Sequence, residues 1–128
     1  MTRYSLAAIV LACCAIQAQA EAPSSAYSQC MDKAMSTLAM SNCIVAETQV
    51  QDERLNRVYK QLMAKLEPSQ QKALRDVQRT WIKYRDENCA FHGQVSGGTA
   101  RQLESGMCLM DLTRERAVEL ERVLSPAQ

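Results

Sequence analysis

The chain has little of what interrupts helices or favours strands. Its 128 residues include four glycines, three prolines and only 5% aromatic residues. Leucine, alanine, methionine, glutamine, arginine and glutamate dominate, and most of these residues have high helix propensity. No alternating strand pattern, internal repeat or low-complexity tract is present. The composition therefore excludes a strand-based fold and predicts an all-α protein.

The chain also lacks an excess of charge of either sign. Over the full sequence 15 basic residues stand against 14 acidic ones, and removal of Arg3 with a cleaved leader leaves 14 of each. A nucleic-acid-binding domain usually has a strong basic excess. The balance therefore excludes nucleic acid as a partner and offers no long-range steering toward a charged protein.

Residue sets for catalysis are missing as well. His92 is the single histidine. A Ser/His/Asp triad would need a second element to support this histidine, and the sequence indicates none. No glycine-rich phosphate motif precedes a helix, and no pair of cysteines has the CxxC spacing. A glycosidase needs two carboxylates across a cleft, whereas the acidic residues here lie mostly among opposite charges at helical spacing. We therefore expect a non-catalytic protein without metal or cofactor.

The first twenty residues have the pattern of a signal peptide. Arg3 precedes an apolar run over residues 6–16, and Ala18-Gln-Ala20 is the small-x-small pattern of a cleavage site. The run is shorter than the roughly 20 residues that span a bilayer. We predict a signal peptide over 1–20, a disordered mature start over 21–25, a folded domain over 26–125 and a periplasmic location. Lipidation at Cys13, which ends a lipobox-like stretch, is the less favoured alternative.

Four cysteines remain after the leader: Cys30, Cys43, Cys89 and Cys108. An even number of cysteines in a small exported domain usually forms disulfides. Three pairings are open, and we favour Cys30–Cys43 and Cys89–Cys108. A zinc site is the rival interpretation, but 12 and 18 intervening residues match no familiar ligand spacing.

Apolar residues at three- and four-residue steps predict three long helices after a short one. The short helix covers 26–35, the second runs to about residue 66 with Ser41 or Asn42 as its cap, and the third covers 69–90. The fourth begins at Thr99, whose capping box would include Gln102. We expect an antiparallel hairpin or bundle with these inward-facing residues: Ile44, Thr48, Gln51, Leu55, Val58, Tyr59, Leu62, Leu66, Leu74, Val77, Trp81, Tyr84, Leu103, Met107, Met110, Ala117, Leu120 and Leu124.

The segment between Cys89 and Cys108 contains a predicted loop over residues 91–99. A loop fixed at both ends can present side chains at reduced entropic cost on binding. The candidate contact residues are His92, Gln94, Val95, Ser96, Thr99 and Arg101. The alternative is an ordinary helix connection held by a disulfide.

A polar network is expected between the second and third helices. Gln78, Trp81 and Arg85 share one helix face, and Asp52, Asn56 and Tyr59 share another. Antiparallel packing would pair Arg85 with Asp52, because a buried arginine requires a charged or hydrogen-bonded partner. Tyr84 adjoins this group. A direct role of these residues in ligand contact is the alternative.

These residues together form a recognisable pattern. It comprises Met40-x-x-Cys43, Asp52-x-x-Leu55-Asn56-x-x-Tyr59, Gln78-Arg-x-Trp81-x-x-Tyr84-Arg85-Asp86-x-x-Cys89, Gly97-Gly98, Cys108 and Thr113-Arg114. The pattern resembles the LprI-type lysozyme inhibitor domain, an exported bacterial helical domain, from about Cys30 to Leu124. The resemblance implies inhibition of lysozyme. The neutral charge departs from the acidic excess expected of a partner for a cationic lysozyme.

Two functions are therefore predicted. In the first, the protein binds and blocks lysozyme in the cell envelope, with the donors His92, Ser96, Thr99 and Arg101 facing the carboxylates of the cleft. In the second, it is a periplasmic interaction, stress or immunity-type module whose partner is another envelope protein.

Overall fold

A computed structural model describes residues 22–126, and these form four helices. They are α1 (Ser25–Lys33), α2 (Thr37–Met63), α3 (Pro68–Ser96) and α4 (Ala100–Leu124). The described residues contain no strand. The all-α prediction of three long helices after a short one is confirmed. The predicted signal peptide over 1–20 and Cys13 lie outside the described residues.

The helix starts follow from side-chain caps. The hydroxyl of Ser24 accepts from the Tyr27 N–H, and α1 begins at Ser25, one residue before the predicted start of the short helix. Ser36 accepts from the Ala39 N–H and begins α2. The prediction of Ser41 or Asn42 as this cap was wrong, because the helix already contains both. Pro68 opens α3 after a capping box formed by Glu67 and Gln70.

The helix α4 lies against both α2 and α3, which make few direct contacts with each other. It runs parallel to α2, as shown by the hydrogen bond from Gln102 to Ser41 near one end and by the Arg54–Glu121 ion pair near the other. The helices α3 and α4 are antiparallel. Because α2 and α3 both pack against α4, the three long helices form an assembly with α4 at its centre.

The core lies between α2 and α4. The apolar side chains of its central cluster are fully buried: Leu55, Val58, Leu62, Ala117 and Leu120. Tyr59, Leu66, Leu74, Trp81 and Leu124 pack against this cluster while retaining partial exposure. The predicted inward faces of α2 and α4 are thus largely confirmed, since both helices are covered along one continuous stripe.

The helix α3 is much more exposed than expected. Only Cys89 and Gly93 are buried along its length. The predicted burial of Val77 and Tyr84 was wrong, because these side chains are 53% and 55% exposed. Because α3 packs against α4 alone, only a narrow stripe of its surface is buried. The prediction assumed that α2 would also pack against α3.

Two glycines permit close approach of α4 to its neighbours. A Cβ atom on Gly93 would lie 3.1 Å from the backbone oxygen of Arg101 and 3.2 Å from Cβ of Ser105. A Cβ atom on Gly106 would meet only the Cγ2 methyl of Ile44, at 3.1 Å. The obstacle at Gly93 is therefore largely fixed, and the one at Gly106 is a side-chain methyl group.

We expect Gly93→Ala to lower the free energy of unfolding by about 1 kcal/mol. Overpacking costs about 1–3 kcal/mol, and the higher helix propensity of alanine offsets about 1 kcal/mol of this. Gly106→Ala is the matched control and is expected to change stability by less than about 0.5 kcal/mol, because the cost of shifting the methyl group of buried Ile44 offsets most of the propensity gain of about 1 kcal/mol. Urea unfolding of both variants checks this expectation, which fails if Gly93→Ala is the more stable of the two.

Candidate functional site

Both disulfides lie at the same end of the molecule. Cys30–Cys43 joins α1 to α2 with a Cα–Cα distance of 5.8 Å, and Cys89–Cys108 joins α3 to α4 at 5.4 Å. The predicted pairing is confirmed, and the alternative of a zinc site is excluded because the sulfur atoms are bonded to each other. Each disulfide restricts the unfolded chain and stabilises by about 2–4 kcal/mol.

The connection between α3 and α4 is shorter than predicted. The expected loop over 91–99 was wrong, because α3 continues to Ser96 and only residues 97–99 form the turn. Gly97 and Gly98 have φ angles of 64° and 50°, which favour glycine because it lacks a Cβ atom. Thr99 is the N-cap of α4 but makes no side-chain cap bond, and Gln102 donates to Ser41 instead.

The predicted contact residues are exposed at this end. His92, Gln94 and Ser96 occupy the last turns of α3, Thr99 lies in the turn, and Arg101 begins α4. We call this end the tip and define it as residues 34–38 together with residues 91–101. The structure thus places the five polar candidates at one end of the α3–α4 hairpin, mostly on helix and not in a loop.

Sequence reasoning named Val95 as a candidate contact residue but missed the other exposed apolar side chains of the tip. Met35 and Leu38 are exposed at the turn from α1 to α2, and Phe91 and Val95 are exposed near the end of α3. Met35 is 92% exposed and Val95 is 70% exposed. Four large apolar side chains exposed at one end make this end a candidate interaction surface. In the sequence, the one sign of these residues is that they lie outside the predicted inward-facing stripes of the helices.

The predicted polar network is only partly formed. Asn56 donates to Asp52 at 3.0 Å, within α2. Arg85 pairs with its neighbour Asp86 at 2.8 Å and donates from Nη1 to Thr113 Oγ1 at 3.3 Å. The predicted pairing of Arg85 with Asp52 was wrong. Because α2 and α3 both pack against α4, the sides of α2 and α3 that face each other remain separated.

Arg116 is the network member that sequence reasoning missed. Its Nε donates to Gln78 Oε1 at 3.0 Å, and its Nη1 donates to Glu119 at 2.7 Å. The guanidinium carbons of Arg85 and Arg116 lie 5.1 and 5.9 Å from the centre of the Trp81 ring. Two cations therefore flank the half-buried tryptophan.

A groove separates α2 from α3, with α4 as its floor. Its wider part has a volume of about 500 Å³. The residues that line this part come from all three long helices: Thr48, Gln49, Asp52, Glu53, Arg85, Leu109 and Thr113. A second part of about 310 Å³ is lined by Asn56, Tyr59, Arg75, Gln78, Arg79 and Ile82. Most polar residues of the predicted network thus border this groove.

A buried carboxylate holds the start of α1 against α2. Glu47 accepts from the Ser24 N–H at 3.0 Å, from the Ser24 hydroxyl at 2.5 Å and from Gln51 Nε2 at 2.8 Å. Burial alone would raise the pKa of Glu47. The hydrogen bonds from Ser24 and Gln51 and the positive charge of Arg114 outweigh burial and lower this pKa.

Half-buried Tyr27 and buried Arg114 complete the cluster around Glu47. Burial and the carboxylates of Asp111 and Glu47 raise the pKa of Tyr27, against the charge of Arg114. Arg114 pairs with Asp111 at 2.9 Å, while its Nη1 has no hydrogen-bond partner among the described residues. The cluster ties α1, α2 and α4 together, and its location in the interior favours a structural role.

Other features limit the class of protein. Within residues 22–126 no helix is both long enough and apolar enough to cross a membrane. No three metal-ligating side chains are grouped in this part of the chain. Two disulfides indicate an oxidising compartment. The fold and the tip therefore define a small, disulfide-bonded, helical protein with exposed apolar side chains at one end.

The comparison with known proteins identifies the family. Residues 29–120 match the family described as "Lysozyme inhibitor LprI", and the chain belongs to this family. An uncharacterized protein of Rhizobium meliloti (strain 1021) is 29% identical to the chain, over 93% of each sequence. No solved structure matches the chain significantly. The match confirms the resemblance inferred from the cysteines and the QRTWIKYRDENC segment.

Proposed function

We propose that the protein is an exported, non-catalytic inhibitor that binds lysozyme through its tip. Membership in a family named for lysozyme inhibition supports the choice of partner. The leader-like residues 1–20 and the two disulfides support export to the periplasm. The single observation that carries the choice of surface is the cluster of exposed apolar residues on the disulfide-bonded end.

The shape and chemistry of the tip suit an enzyme cleft. At the tip a three-residue turn joins α3 to α4, and the Cys89–Cys108 bond links the two helices near this turn. A rigid element loses little conformational entropy on binding. Phe91 and Val95 would bury apolar surface, while Arg101 would supply a donor to carboxylates in the cleft. This division resembles the apolar centre and polar rim of many interfaces.

Titration of lysozyme activity tests the proposal. Oxidised protein is added to lysozymes of the chicken, goose and invertebrate types in a cell-lysis assay. We expect dose-dependent inhibition of at least one type and its loss after reduction and alkylation of the disulfides. The proposal is contradicted if all three types keep full activity in a large excess of oxidised protein.

The exposed side of α3 favours a second candidate function. Val77 and Tyr84 are exposed on one face of α3 outside the tip, beside Trp81 and Arg116, and this face would contact a different envelope protein in an immunity-type or stress-related complex. This function would be preferred if no lysozyme is inhibited and a defined envelope partner binds the wild-type protein but not Tyr84→Lys.

A further inference from the structure

The groove between α2 and α3 carries opposite charges on its two walls. Asp52 and Glu53 line the α2 side, Arg85 lines the α3 side, and Leu109 and Thr113 form the floor from α4. Its wider part, at about 500 Å³, has the size of a small-molecule site. The groove lies on the body of the molecule and shares no lining residue with the tip.

The charged groups retain hydrogen-bonding capacity. Among the described residues, Glu53 makes no hydrogen bond or ion pair, and Asp52 accepts only from Asn56 through Oδ2. Arg85 contacts Asp86 through Nε and Nη2 and Thr113 through Nη1. A guanidinium has five N–H donors, so two remain for a ligand. The Arg85 side chain is only 18% exposed, which makes it a positioned group.

The arrangement selects the charge of a ligand. A purely anionic molecule would meet the carboxylates of Asp52 and Glu53, and a purely cationic one would meet Arg85. A molecule with both an ammonium and a carboxylate group can satisfy both walls, because each charge then faces its opposite. Leu109 offers apolar contact between the two charged positions.

The size of the wider part favours a short peptide over a single amino acid. A single amino acid would leave most of its volume of about 500 Å³ empty. Gln49 lines the same part beside Asp52 and Glu53. A side-chain amide can pair with the N–H and C=O groups of a peptide that spans the two walls.

We propose that this groove binds a short peptide with a free ammonium and a free carboxylate group. The ammonium pairs with Asp52 and Glu53, and the carboxylate pairs with Arg85. This binding is separate from the proposed inhibition of lysozyme, which uses the tip. Failure of either proposal therefore leaves the other intact.

Isothermal titration calorimetry with trialanine tests the proposal. The probes are trialanine with free termini, N-acetyl-trialanine, trialanine amide and free alanine. We expect saturable binding of the zwitterionic peptide and at least tenfold weaker binding of each blocked peptide. Free alanine is expected to bind more weakly than trialanine because it reaches only part of the groove. Trp81, the only tryptophan, lies beside Arg85, so its fluorescence should change during the same titration.

Variants identify the wall that each terminus contacts. Arg85→Gln should bind trialanine and trialanine amide with equal affinity, because the partner of the peptide carboxylate is gone. The double variant Asp52→Asn/Glu53→Gln should bind trialanine and N-acetyl-trialanine with equal affinity, because the partners of the peptide ammonium are gone. Asp52 and Glu53 are exposed, so this double variant should fold even if Arg85→Gln does not. Arg101→Gln at the tip is the matched control and should bind like wild type. The proposal is overturned if trialanine does not bind at millimolar concentration, if blocked peptides bind equally well, or if Arg101→Gln abolishes binding.

Discussion

Replacing both Cys89 and Cys108 with alanine is expected to lower the free energy of unfolding by about 3 kcal/mol. The two residues are 19 apart in sequence, and closing a loop of this length restricts the unfolded chain by roughly that amount. Cys89 is also completely buried between α3 and α4. Among the long helices, only α4 packs firmly against α3, and few side chains of α3 are buried. The disulfide therefore holds in place a helix that has little buried surface of its own.

The double variant Cys30→Ala/Cys43→Ala is the matched comparison. Its bond secures only α1, which has no buried residue and retains the hydrogen bonds between Ser24 and Glu47. We expect a smaller loss of global stability and increased hydrogen exchange confined to α1. Guanidinium unfolding of both double variants measures the difference. A larger loss from the Cys30–Cys43 pair would contradict this assignment of the two bonds.

Glu47→Gln is expected to destabilise the protein by about 2 kcal/mol at pH 7. The Glu47 side chain is buried and accepts three hydrogen bonds, from the N–H and hydroxyl of Ser24 and from Gln51. Hydrogen bonds to a charged group contribute about 1.5–3 kcal/mol each, and glutamine retains part of them. Glu53→Gln removes a carboxylate of the same size at an exposed position without a described partner. It should change stability by less than about 0.5 kcal/mol.

The effect of Glu47→Gln should depend on pH. The pKa of Glu47 is lower in the folded protein than its ordinary value of 4.5, so the folded state favours the ionised carboxylate. Its contribution is therefore complete well above pH 4.5 and is lost as the pH falls through the folded pKa. Urea unfolding at neutral pH and at successively lower pH values should show the wild type and the variant converging. A constant difference down to the lowest pH would refute this account.

The helices and disulfides can be predicted from the sequence. Helices depend on local residue patterns, and four cysteines allow only three disulfide pairings. The stripe of Leu55, Val58 and Leu62 has helical periodicity and is buried as expected. The short segment between Cys30 and Cys43 can bring the two sulfur atoms together after one turn. The end of α3 was less predictable, because Phe91 and Gly93 continue the helix where glycine content indicated a loop.

Tertiary arrangement limits prediction of the candidate site. The spacing of Gln78, Trp81 and Arg85 correctly places them on one helix face, but only the packing of α4 shows that Arg116 contacts Gln78. The same packing separates Arg85 from Asp52 and opens the groove between them. At the tip, the polar candidates were predictable from their position between two cysteines. The contribution of Met35 and Leu38 depends on α2 and α4 beginning at the same end.

The most direct test of the central claim compares two exposed valines at opposite ends of the molecule. Val95 lies at the tip and is 70% exposed, and Val123 lies near the end of α4 and is 58% exposed. With a lysozyme that the wild-type protein inhibits, Val95→Glu should raise the inhibition constant at least tenfold, and Val123→Glu should leave it unchanged. Equal inhibition by both variants, or a loss confined to Val123→Glu, would contradict binding through the tip.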